Sequence, residues 1–148
     1  METDETRRKL FTIEEARALL PVLRPDVERM LDTFREIRSA IESAAGLTGL
    51  ALGSSDLTEH LQAQGIVPRL FERVQQIVGR IHLHGCVVNG PEAGLIDFPC
   101  LYKDEIVFLC WKFDEPTVSH WHRIPDGFAG RRPLLDASDE QDAGSSVH

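Results

Sequence analysis

Nine apolar residues, Ala16, Leu20, Leu23, Val27, Met30, Phe34, Ile37, Ile41 and Ala44, follow one another in alternating steps of four and three. That spacing is one face of a helix, and held for so long it reads as a heptad-type seam lying along another helix, as in a coiled coil or bundle. Thr12 suits the N-cap, and Glu15 three residues later completes a capping box. Pro21 and Pro25 fall inside the stripe and each lacks an N–H, so a kink is expected there. Gly46 to Ser55 reads as a loop. Asp56 with Glu59 opens a second helical segment, which Gly65 and Pro68 interrupt. From there Val67, Leu70, Val74, Ile77, Ile81 and His84 resume the stripe, and Gly85 stops it. Two striped helices joined by a loop predict an antiparallel helical hairpin. The first seam runs about 43 Å at a rise of 1.5 Å per residue. A small β half does not readily cover that length, so the stripe also points to a homodimer.

Past Gly85 the pattern turns to short β segments. Cys86 to Val88 reads as a strand and Asn89-Gly90-Pro91 as a turn. Gly94 to Pro99 is the next strand, Glu105 to Lys112 follows, and Thr117 to Arg123 returns after a turn at Asp114-Glu115. A tight turn sets Trp111 opposite Val118, Leu109 opposite His120 and Val107 opposite His122, with Cys110 and Trp121 on the other face. The last ordered stretch is Asp126 to Arg132. The fold class is α+β: a long antiparallel helical hairpin followed by a small antiparallel β-sheet. Residues 11–133 form a single domain, between a disordered N-terminal tail at 1–10 and a disordered acidic C-terminal tail at 134–148.

Composition narrows the function. The chain has 148 residues, 42% of them hydrophobic, and a formal net charge of -8. That is one ordinary domain able to bury a core. An acidic surface repels phosphate backbones, which argues against nucleic acid as a partner. No apolar run approaches the ~20 residues of a membrane span, and Met1 to Lys9 has no apolar signal core. Cys86, Cys100 and Cys110 are odd in number and show no CxxC spacing, so a reducing cytoplasm is expected and a disulfide framework is not.

Several segments together resemble a known family. They are Phe11-Thr12-x-Glu14-Glu15-Ala16 with Leu19-Leu20-Pro21, then Gly94-Leu95-Ile96-Asp97-Phe98-Pro99, Leu109-Cys110-Trp111-Lys112, Glu115, Trp121-His122, and Gly127-Phe128-Ala129-Gly130-Arg131. The combination is similar to a bacterial family catalogued as domain of unknown function 2203, over about residues 11–132. The resemblance implies kinship across the folded part and no particular activity. His120 stands where that family usually has tyrosine, and His82 and His84 lie outside its pattern.

Four groups of residues could carry chemistry. His120 and His122 are two apart on a strand, so their imidazoles share a face and can bridge one ion. Asp97, Glu115 or His84 would complete a shell suited to zinc, iron or manganese; the other reading is that the histidines fill a half-buried strip. His82 and His84 end a helix about 200° apart and cannot both face one ion. Cys110 with a histidine as base would make a thiol nucleophile, although its setting between Leu109 and Trp111 points to burial and a raised pKa. Asp97 between apolar neighbours needs a partner, and Arg131 or Arg132 offers a salt bridge. Alternatively Arg131 clamps a small anionic ligand beside Trp111 and His122. No Gly-rich phosphate loop, nucleophile elbow or HExxH motif is present. The chain therefore reads as a cytoplasmic binding or accessory protein, for a protein or small ligand, with a pocket of Asp97, Trp111, His120, His122 and Arg131. The sharpest form of that reading binds a divalent metal at His120, His122 and Asp97. A small metal- or thiol-dependent enzyme and a structural helical dimerisation module are the alternatives.

Overall fold

A computed structural model describes residues 9–134. The expected tails fall outside these residues, save for Lys9, Leu10 and Leu134. Leu134 is tied down, its N–H donating to the Ser119 carbonyl at 2.8 Å.

The first helix, α1 (Ile13–Thr48), is 36 residues long. Thr12 and Glu15 form the expected capping box through bonds of 2.9 and 3.0 Å. The helix runs through both prolines, and both lie on its exposed side, where carbonyls left without an N–H partner can turn to water. Gly49 ends it with φ 74°, the left-handed conformation that favours glycine. A short helix, α2 (Ser55–Gln64), and then α3 (Ile66–His82) bring the chain back. Contacts between α1 and α3 run in opposite order along the two helices. The Phe34 and Phe71 rings meet at 6.1 Å, and Asp26 binds Arg80 at 3.1 Å. The stripe of α1 is buried against α2, α3 and the sheet of the same chain, apart from Phe34 and Ile41, which are half-buried. Its burial calls for no second copy.

The β half is a five-stranded antiparallel meander: β1 (Val87–Val88), β2 (Leu95–Tyr102), β3 (Glu105–Lys112), β4 (His120–Arg123) and β5 (Arg132–Pro133). Lys103 and Asp104, with φ 52° and 66°, make the two-residue turn between β2 and β3. Along β2 the residues Ile96, Phe98, Cys100 and Tyr102 face the helices. They share that face with Val107, Leu109 and Trp111 of β3. The first half of α1 is fastened there. Phe11 packs edge-on against Phe98 at 5.3 Å, and the Arg17 guanidinium donates to the Val118 carbonyl at 3.0 Å. Arg24 reaches the Pro116 carbonyl at 3.1 Å and lies over Trp111.

The register of β3 on β4 differs by one residue from the sequence expectation. His120 pairs with Cys110, Trp121 with Leu109, and His122 with Phe108. The connection between these strands is a seven-residue loop, 113–119, rather than a tight turn. It is closed by the Glu115 N–H on the Lys112 carbonyl at 2.8 Å and the Lys112 N–H on the Glu115 carboxylate at 2.9 Å. Because side chains alternate along a strand, a slip of one position changes every facing relation. Cys110 joins the histidines, and Trp111 does not.

Candidate metal centre

Asp97, Cys110 and His122 belong to three adjacent strands and meet on the sheet face turned away from the helices. Asp97 is directly opposite Cys110 across β2 and β3, and His122 is offset by one pair along β4. One donor atom from each of the three lies within 4.8 Å of the others. All three side chains are closed off from water, each about 1% exposed.

The hydrogen bonds around His122 fix its protonation pattern. Its Nδ1 stands 2.9 Å from the Arg123 carbonyl oxygen. A carbonyl can only accept, so Nδ1 carries a proton and donates it. That leaves Nε2 facing Asp97 Oδ1 at 3.2 Å. In the neutral ring Nε2 is a bare lone pair, and a lone pair does not attract a carboxylate oxygen. Something positive must lie between them, a proton or a metal ion. The other oxygen of Asp97, Oδ2, accepts from Asn89 Nδ2 at 2.8 Å. Burial, followed by the charge of Asp97, pushes the Cys110 thiol up to about 12, and Arg131 opposes that rise. Such a thiol is a poor free nucleophile. Burial likewise raises the Cys86 and Cys100 thiols to about 11.

Other expected site residues lie elsewhere. His120 shares the face of His122, but its Nδ1 contacts Ser119 Oγ at 3.0 Å and Glu115 at 3.8 Å. Among the described residues, no fourth His, Cys, Asp or Glu joins the cluster. Trp111, expected beside the imidazoles, is fully buried on the opposite face, with its indole N–H donating to the Glu115 carbonyl at 3.0 Å. Arg131 does not pair with Asp97. It makes a two-pronged bond to Glu115 at 2.7 and 2.8 Å and reaches the Cys110 carbonyl at 3.4 Å. Burial alone would raise the Glu115 carboxyl, but Arg131 and the Lys112 N–H outweigh it and hold it below the usual range. Arg132 instead lies over the Trp121 ring. His82 takes the Val88 N–H at 3.1 Å, which makes it a cap between α3 and β1. Two residues were missed. A tight turn after β3 would put Cys110 on the other face, and Asn89 carries only a turn signal in the sequence.

A family model described as an uncharacterized conserved protein, DUF2203, matches residues 9–134, most of the chain. No curated protein and no solved structure matches.

Proposed function

The chain belongs to the DUF2203 family, and on that footing we propose that it is a metal-binding protein holding one divalent transition-metal ion between Asp97, Cys110 and His122. The observation that carries this reading is the pair Nε2 and Oδ1 at 3.2 Å, with the His122 Nδ1 proton already committed to a carbonyl. Donors bound to one tetrahedral ion at about 2.0–2.1 Å stand roughly 3.3–3.4 Å apart, close to that separation. The bond from Nδ1 to a backbone carbonyl is also the usual way a metal-binding histidine is oriented and kept in the right tautomer. A mixed set of thiolate, imidazole and carboxylate suits zinc first and iron second. Phe108 packs edge-on to the imidazole at 5.6 Å. In so closed a setting the ion would brace three strands rather than expose a reactive position to substrate. The three free, buried thiols suit a reducing compartment such as the cytoplasm.

The test is the metal content of protein purified without a histidine tag. We expect close to one equivalent of zinc or iron, lost in Cys110→Ser and His122→Ala and kept in His120→Ala. Protein that carries no metal and takes up none from solution would leave a proton between Asp97 and His122, and the reading would fail.

A further inference from the structure

Asn89 holds one half of a cluster carboxylate. Its Nδ2 donates to Asp97 Oδ2 at 2.8 Å, while Oδ1 is the oxygen that faces His122. The residue is exposed, yet its backbone is pinned. Its N–H donates to the Leu95 carbonyl at 2.9 Å. Gly90, next along the chain, has φ 128° and carries the Leu95 side chain 3.0 Å from where a Cβ would stand. The turn therefore has little room to shift, and the amide stays over Oδ2.

We propose that Asn89 determines which ions the Asp97–Cys110–His122 centre accepts, an inference that rests on the metal reading above. With the amide held on Oδ2, Asp97 turns Oδ1 toward the ion, and binding through both oxygens would have to share or displace the Asn89 bond. The protein then supplies one oxygen, one nitrogen and one sulfur. Few, mixed donors satisfy zinc or cobalt(II). Magnesium and calcium need six or more oxygens, and manganese favours oxygen-rich shells. Releasing Oδ2 would let the carboxylate bind through both oxygens, raising the coordination number and favouring manganese. Of the three ions expected from the sequence, manganese is the one this arrangement disfavours.

The experiment compares zinc and manganese affinities, and the visible spectrum of the cobalt(II) form, in the wild-type chain, Asn89→Ala and Asn89→Asp. Because Asn89 is exposed, both variants should fold, which circular dichroism checks. In both variants the preference for zinc over manganese should fall roughly 10-fold, the scale on which outer-shell contacts act. The strong bands of four-coordinate cobalt should also weaken. A residue serving only to hold the turn would weaken both ions together and leave their ratio unchanged. An unchanged ratio with zinc still bound overturns the role of Asn89 and leaves the metal site standing. A wild-type chain that binds neither zinc nor cobalt overturns the metal site and this inference with it.

Discussion

Cys110 and Trp111 are neighbours on β3, and the pleat sends one to each side of the sheet. The indole goes to the core under α1, and the thiol goes to the polar cluster. Asp97 is visible in the sequence as a residue needing a partner, but Arg131, the partner expected for it, binds Glu115 instead. Glu115 explains why. It takes two bonds from Arg131 and one from the Lys112 N–H, and its own backbone carbonyl receives the Trp111 indole. A loop residue that ties together three neighbours has no periodicity to betray it. Glu115→Ala should leave the Arg131 guanidinium, only 15% exposed, without its carboxylate partner and with only the Cys110 carbonyl in reach. The expected cost is about 2 kcal/mol in urea unfolding, since bonds to a charged group are worth more than neutral ones. Arg131→Lys should recover little of an equivalent loss, because an ammonium cannot make the two-pronged fork. Equal stability of wild type and Glu115→Ala would refute this role.

The helices were legible because their signals are local. The capping box at Thr12 and the steps of three and four lie within a few residues of what they control, while α3 ends at His82, short of the stop expected at Gly85. The long seam and the antiparallel return of α3 followed from them. The homodimer suggested by the seam lost its argument once α2, α3 and the sheet were seen to cover α1. Charge pairs join the two long helices along the edge of their apolar seam. Asp26 of α1 receives Arg29 at 2.7 Å and Arg80 of α3 at 3.1 Å through the same oxygen. Its burial works to raise the carboxyl, but the two arginines prevail and hold it below 3.8. A carboxylate whose folded pKa is depressed adds stability that is present above the unfolded value and lost as pH falls through the folded one. Asp26→Asn should therefore be less stable than wild type at neutral pH by up to about 1 kcal/mol. The gap should close below pH 3.8. Thermal melts of the two proteins across that range check the sign; a gap that widened in acid would contradict it.

Across the whole molecule, the donors of the cluster stand at 97, 110 and 122, too far apart in sequence for any ligand motif to flag them. The meander brings them into one row, and only the register decides which residues that row contains. The order of strands could be read from alternation and turn residues. The register between β3 and β4 could not, because the 113–119 loop is set by contacts from α1 and from Arg131. Arg24 holds its carbonyls from one side, and the Arg131–Glu115 pair holds it from the other. A slip of one residue placed Trp111 in the site and removed Cys110 from it. Fold class survives such an error, since it depends on the order of elements, whereas a site built from three strands does not.

Diffraction from zinc-saturated crystals, recorded at the zinc absorption edge, locates the ion itself. One anomalous peak is expected at full occupancy, about 2.0–2.1 Å from His122 Nε2 and Asp97 Oδ1 and about 2.3 Å from Cys110 Sγ. Crystals with no peak between those atoms, and with His122 and Asp97 still in direct contact, would contradict the proposed metal centre.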